Sequence, residues 1–344
     1  MEILTSMKKK YIVSCLCISF LCILTILLFF RIQKKQVFAD PITKSSFLLD
    51  TIVTVTIYDS DDMELLENCL SLCEEYENLF SKTIDTSEIS EINHRSSDTS
   101  KITVSPDTKA LIEKGLYYSK LSDGAFDITI EPLAALWDYK EAQIPDASSI
   151  QKAVASVDYR NISLSQDILT ISSPDTHLDL GGIAKGFIAD KMKEFLVEHG
   201  VKSAIINLGG NILCIGQKPD GSPFRVGIQK PFQERNETVA TVAIQDMSVV
   251  SSGIYERYFI KDDKLYHHIL NPKTGYPYEN NLISVSIISS LSVDGDGLST
   301  TCFALGLTKG MELVNELDGV YAVFITDDNV LHYSDNFDEI LIKE

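Results

Sequence analysis

At 344 residues the chain has room for one large domain or two ordinary ones, and for a sizeable core without disulfide staples. Its 44 % apolar and 23 % charged residues exclude disordered, collagenous and multi-span membrane classes. The net charge of −19 is uneven: residues 1–36 hold six basic groups and one acid, leaving 24 basic and 48 acidic residues beyond them, a net −24 that argues against a nucleic-acid partner.

From Tyr11 to Phe30 the chain runs without a charge, long enough as a helix to span about 30 Å of hydrocarbon. Basic residues flank both ends, so the positive-inside rule leaves its orientation open. No small-x-small cleavage site follows Phe30, which favours a retained membrane anchor over a cleaved signal peptide. Ile12–Cys15 looks like a lipid-attachment box but precedes the apolar run rather than following it. Residues 1–36 are therefore expected to be an anchor, 37–45 a linker, and 46–344 the catalytic body. Of seven cysteines, Cys15, Cys17 and Cys22 fall in the anchor. Cys69, Cys73, Cys214 and Cys302 fall in the body, where they read as buried free thiols rather than zinc ligands.

A strand is expected over Ser46–Asp59, rich in β-branched residues. A helix follows over Asp61–Phe80 with Asp62 as N-cap, then a polar turn-rich stretch from Ser81 to Lys101. Ser105-Pro106-Asp107 starts a second helix that runs to Leu121, and a third covers about 146–157. Beyond Asn161 short strands dominate: 201–207, 211–215, 223–229, 237–246, 255–260, 265–270, 281–289, 320–326 and 330–334. Helices near 183–199, 297–305 and 308–317 interrupt them. The order is not strictly βαβ, so the fold class is α+β in one compact unit.

Four segments look costly for structure alone. DGAFDITIEPLAALWDY (Asp123–Tyr139) holds the only Trp and sets Asp127 inside an apolar alternation, where a buried carboxylate needs a partner. The alternative is a turn feeding a core strand. LDLGGIAKG (Leu178–Gly186) places three glycines between a strand and a helix, a geometry that offers amides to an anion, with Lys185 adding a point charge. It is neither a Walker A nor a GxGxxG motif, and an ordinary strand–helix turn would also explain it. HHILNPKTG (His267–Gly275) ends a strand on two histidines, each a candidate acid/base or merely a solvated edge residue. The other histidines are scattered, which disfavours zinc. VDGDGLSTTCFALG (Val293–Gly306) offers hard oxygen ligands on a loop entering a helix, suited to Mg²⁺, although Asp294 or Asp296 could simply cap that helix. Together, a phosphate cradle, a carboxylate/hydroxyl pair and a histidine are what phosphoryl or nucleotidyl transfer needs.

In order, DGAFDITIEPLAALW, LDLGGIAKGFIADK, INLGGNI, SSGIYERY, HHILNPKTG and DGDGLSTTCFALG resemble the ApbE family of FAD:protein FMN transferases over about 46–340. The resemblance implies a single T-fold-related domain with mixed or antiparallel sheets and flanking helices, membrane-anchored and extracytoplasmic. It implies Mg²⁺-dependent cleavage of FAD, attachment of FMN to a Thr or Ser hydroxyl of a partner flavoprotein, and release of AMP. Carried over by residue, it implies metal ligation by Asp296, Thr300 and the Ala184 carbonyl. Flavin-nucleotide contacts are implied at Leu49, Thr83, Ala125, Phe126, Asp127, Asp179, Lys185 and Ile269. Gly209-Gly210 and Ser252-Gly253 are expected to shape the pocket, with Tyr255 and Arg257 near it. His268 and Asp296 are the expected catalytic pair, His268 activating the acceptor hydroxyl. Three positions depart from the family pattern: Leu49 replaces a methionine, Thr83 a tyrosine, and Lys185 aligns with Glu in some members. Two other readings use the same residues, an FAD pyrophosphatase yielding FMN and AMP, and a surface FAD-binding module without turnover.

Overall fold

The computed structural model describes residues 40–234 and 237–343; the expected membrane segment lies outside them. Among the described residues no helix is long and apolar enough to cross a membrane.

The described residues open with two paired strands, β1 (Ile42–Leu48) and β2 (Thr51–Ile57). The single strand expected over 46–59 is thus a hairpin, and its first strand starts inside the expected linker. Leu49 and Asp50 form the two-residue turn at φ 55° and 57°. That left-handed geometry is the one hairpins favour, but Leu-Asp lacks the Asn-Gly signature that announces it. Helix α1 (Met63–Phe80) follows, capped by Asp62, whose side chain accepts from the amides of Glu64 and Leu65. The stretch expected to be turns holds a short helix, α2 (Glu88–Asn93), capped by Ser87. Next come β3 (Lys101–Thr103), α3 (Pro106–Leu121), α4 (Glu131–Ala134) and α5 (Ala147–Val154). No strand forms after Asp123: that stretch is a loop around α4.

The second half contains β4 (Ile162–Ser165), β5 (Ile168–Ile171), α6 (Ala184–Glu198), β6 (Ser203–Leu208) and β7 (Asn211–Gly216). Then come β8 (Phe224–Gln229), β9 (Thr238–Ile244), β10 (Ser248–Gly253), β11 (Tyr258–Lys261), β12 (Lys264–His267) and β13 (Leu282–Ser289). Helices α7 (Ser292–Leu305) and α8 (Leu307–Asn315) precede β14 (Tyr321–Thr326) and β15 (Leu331–Tyr333).

One eight-stranded sheet, ordered β1-β2-β6-β7-β10-β13-β14-β15, organises the body, and each neighbouring pair in it is antiparallel. β10, SVVSSG, is not among the expected strands. Its serines are matched across the ladder, Ser251 Oγ lying 2.6 Å from Ser286 Oγ. Both faces of the sheet are covered at its centre, so β13 is buried along its whole length. On one face a large cluster packs Leu66, Leu196, Leu298 and Phe303 against Val55, Ile206, Ile287 and Phe324. On the other, β8 and β9 close Phe224, Val226 and Val242 over Val249, Ile288 and Val323. Each such side chain contributes roughly 1.5–3 kcal/mol. The four described cysteines are free and buried, and burial pushes each thiol up to about 12, as inert core groups.

Helix α7 begins five residues before the expected start, and the DGDG string lies inside it. Glycine reads as a loop former, but here it gives close packing on two sides. A Cβ on Gly295 would sit 2.7 Å from Val250 Cγ2, and one on Gly297 would sit 2.4 Å from the Tyr118 ring.

Candidate active site

Three loops are laced together beside the helix face of the sheet. Trp137 Nε1 donates to the Gly275 carbonyl at 3.2 Å, and Tyr139 Oη donates to the His267 carbonyl at 3.1 Å. Tyr278 Oη donates to the Ala125 carbonyl at 2.9 Å. These bonds tie the segment around Phe126 to the turn after the histidines. Its other side meets the glycine loop. Asp179 N donates to the Ile128 carbonyl at 2.8 Å, and Phe126 lies so close to Gly182 that a Cβ there would stand 3.1 Å from its ring. Asp127 is buried and finds the partners that its position demands. Its carboxylate accepts from Thr129 N and Oγ1 and from Tyr159 N. Burial raises its pKa and these bonds oppose the rise, so the side chain is committed to holding the loop.

The glycine loop leads into α6, which lies directly against α7. Gly186 makes this approach possible, because a Cβ would fall 2.3 Å from the Ser292 carbonyl oxygen. Its amide donates to Asp296 Oδ2 at 2.9 Å. Asp296 is only 7 % exposed; burial raises its pKa, and Lys185 and the Gly186 amide oppose the rise. Four residues along the same helix, Thr300 Oγ1 lies 3.0 Å from Ser252 Oγ, which also meets Ser299 Oγ at 2.8 Å. Neither aspartate of the DGDG string caps α7 from its own N-terminus. Asp294 instead accepts from Tyr118 Oη and Lys114 Nζ, both at 2.6 Å, which ties α3 to α7.

The two histidines divide cleanly. His267 is buried; its Nε2 faces the Tyr278 carbonyl at 3.0 Å and its Nδ1 receives the Ile269 amide at 3.2 Å. A carbonyl can only accept, so Nε2 carries the proton and both nitrogens are used. This ring is structural. His268 places Nδ1 3.3 Å from the Arg257 carbonyl, which assigns the proton to Nδ1 and leaves the Nε2 lone pair free. By surface area the ring is only partly covered. Protein mass around it is dense enough to lower its pKa to about 4, helped by Arg257, His267 and Lys185. At neutral pH it is an uncharged proton acceptor.

Among the described residues no cluster of three or more His, Cys, Asp or Glu side chains stands ready for a metal. The donor set suits Mg²⁺ nonetheless. Asp296 is a buried carboxylate for which Gly186 is the one hydrogen-bond donor among the described residues. Thr300 adds a hydroxyl, and Ala184, the first residue of the adjoining helix and two residues before Gly186, offers a backbone carbonyl. One carboxylate with neutral oxygens and water is how this small, hard cation is usually held.

The profile of the ApbE family matches residues 49–325. The chain belongs to the ApbE family. It is 35 % identical over 286 residues to an FAD:protein FMN transferase of Klebsiella pneumoniae, covering 82 % of this chain and 88 % of that protein. Another FAD:protein FMN transferase, from Treponema pallidum, is 32 % identical over 308 residues, covering 83 % and 84 %. The crystal structure of the ApbE protein from Thermotoga maritima superposes with a TM-score of 0.80 at 26 % identity, covering 88 % of this chain and all of that one. The flavin transferase ApbE from Vibrio cholerae gives 0.79 at 25 % identity, with the same coverage.

Within this ApbE chain, Ala125, Phe126, Asp127, Asp179 and Ile269 lie on the laced loops, Lys185 lies in the first turn of α6, and Ser252 and Gly253 lie on strand β10 beneath α7. Gly209 and Gly210 form the two-residue turn between β6 and β7, at φ 67° and 109°. Gly209 approaches Thr51 at the β1–β2 turn. Leu49 belongs to that same turn, its amide donating to Glu77 Oε1 at 2.8 Å. Thr83 is exposed and hydrogen-bonds locally to Ser81. Its neighbour Lys82 is the residue of that segment that touches the glycine loop, at 2.7 Å from Asp179 Oδ2. Sequence reasoning missed Lys82, Tyr278 and Asp190. Lys82 and Tyr278 reach across 97 and 153 residues to their partners, and no local periodicity carries such a signal.

Proposed function

We propose that this chain transfers FMN from FAD to a Thr or Ser hydroxyl of a partner flavoprotein, forming a phosphoester and releasing AMP. The observation that best supports this reading is the contact of Asp296 with the Gly186 amide, which sets a buried carboxylate against the start of the glycine-led helix. Asp296, Thr300 and the Ala184 carbonyl would hold Mg²⁺, which when bound neutralises pyrophosphate charge and favours departure of AMP. Lys185 and amides of the glycine loop orient phosphate oxygens. His268 Nε2 takes the proton from the incoming hydroxyl as oxygen attacks the FMN-side phosphorus, and its Nδ1–H stays on the Arg257 carbonyl. A bound pyrophosphate adds negative charge beside the ring and lifts its pKa from about 4 toward the working range. The uncharged run from Tyr11 to Phe30 would anchor the body at a membrane, on its extracytoplasmic side.

Incubating the protein with FAD, Mg²⁺ and a candidate flavoprotein should yield a fluorescent acceptor band and one AMP per flavin transferred. FMN and AMP released without labelling would favour the pyrophosphatase reading. Stable FAD binding without AMP would reject turnover.

A further inference from the structure

Helix α7 starts without a cap of its own. Its N-cap residue is Leu291, whose side chain offers no oxygen, and the Ser292 hydroxyl is committed to Asn211 Oδ1 at 2.7 Å. The amides of its first turn therefore need an acceptor from elsewhere. They find one on the neighbouring helix. Ser292 N donates to Asp190 Oδ1 at 2.8 Å, and Val293 N donates to Asp190 Oδ2 at 2.9 Å. One turn back along α6 the direction reverses, and Gly186 N donates to Asp296 Oδ2 at 2.9 Å. Residues 186 and 190 share a face of α6, as 292 and 296 do of α7. Each helix thus donates to a carboxylate on the other, one turn apart.

We infer that Asp190 is a positioning residue of the metal centre: by gripping the first two amides of α7 it fixes the helix carrying Asp296 and Thr300 at a set distance from the Ala184 backbone. The inference rests on the metal reading above. Only a carboxylate meets the geometry. Two donors need two acceptor oxygens, and the positive end of the α7 dipole favours a negative partner. An amide in its place keeps one acceptor and turns its own NH₂ against the second amide.

The test measures binding of Mn²⁺ alone, by electron paramagnetic resonance of the protein without FAD, beside the Mg²⁺ dependence of transfer. Asp190→Asn should bind Mn²⁺ about tenfold more weakly, the usual scale for groups that orient metal ligands. Its half-saturating Mg²⁺ should rise in step, while kcat at saturating Mg²⁺ stays near wild type. Asp190→Glu, which keeps both oxygens, should recover part of the affinity. Tyr118→Phe is the control: it removes a bond that ties α7 to α3 rather than to α6, so it should lower the melting temperature and leave Mn²⁺ affinity alone. Wild-type Mn²⁺ affinity in Asp190→Asn would overturn the inference, as would an equal weakening in Tyr118→Phe. A wild-type protein that binds no Mn²⁺ would instead remove the metal reading, and this inference with it.

Discussion

Replacing Gly186 with alanine sets two backbone effects against each other. In an isolated helix alanine is favoured over glycine by up to ~1 kcal/mol, so propensity alone predicts a stabler protein. Packing says the opposite. The new Cβ would lie 2.3 Å from Ser292 O, 2.6 Å from Ser292 C and 2.7 Å from Val293 Cα. Ordinary contacts between such atoms stand near ~3.5 Å, so the helices must part by roughly 1 Å. All three obstructing atoms are backbone, and no rotamer change relieves them. Overpacking of this kind costs about 1–3 kcal/mol, so the net destabilisation is about 0–2 kcal/mol.

Function should suffer far more than stability. The hydrogen bond from Gly186 N to Asp296 Oδ2, at 2.9 Å, would stretch beyond bonding range, and a ~1 Å misplacement of reacting groups costs up to ~10²-fold in rate. The expected result is a melting temperature lowered by only a few degrees and a transfer rate lowered by about two orders of magnitude. Time courses of in-gel flavin fluorescence across a Mg²⁺ series, run beside thermal melts, measure both quantities. Wild-type transfer by Gly186→Ala at every Mg²⁺ concentration would refute the argument that helix spacing sets the site.

Two further substitutions test the reacting groups. Asp296→Ala should abolish Mg²⁺-dependent transfer at limiting metal, and an intact rate there would remove Asp296 from the centre. His268→Gln should slow transfer by ~10²–10⁴-fold while FAD binding, followed by flavin fluorescence quenching, is retained. The same variant has a stability signature. Burial first, then Arg257, lowers the folded pKa of His268 to about 4, against ~6.5 in the unfolded chain. Between these values the unfolded state binds more protons, so the wild type loses stability as pH falls from 6.5 toward 4. Denaturant melts across that window should fall less steeply with acid in His268→Gln.

Much of this fold could be read from local pattern, because its caps are local. Asp62 and Ser105 hold the amides of their own first turns, and α1 and α3 start where those residues announce them. Misreadings occurred where one residue type served an uncommon purpose. Glycines in α7 are there for close packing, serines in β10 satisfy one another across a ladder, and Leu-Asp turns a hairpin. The candidate residues were legible as motifs. What joins them was not: Asp190 caps a helix that begins 102 residues later, and Trp137 holds a turn 138 residues away. Residue type and spacing left His267 and His268 equivalent, and only the family resemblance singled out His268; the physical distinction lies in which carbonyl each ring meets.

Charge explains why Lys185 matters to two neighbours at once. The body beyond residue 36 carries a net −24, and an anionic dinucleotide must enter a site that already holds a buried carboxylate. Lys185 depresses the pKa of Asp296 and also that of His268. One cation therefore favours an ionised carboxylate and an uncharged imidazole, the two protonation states that the proposed reaction needs. Lys185→Met removes that bias without adding a charge. The pKa of His268 should rise, and the acid limb of the pH–rate profile should move to higher pH as the base protonates sooner. The weaker hold on phosphate should raise KM for FAD as well. An acid limb unmoved in Lys185→Met, with KM raised, would confine the lysine to binding and leave Arg257 and burial to keep His268 neutral.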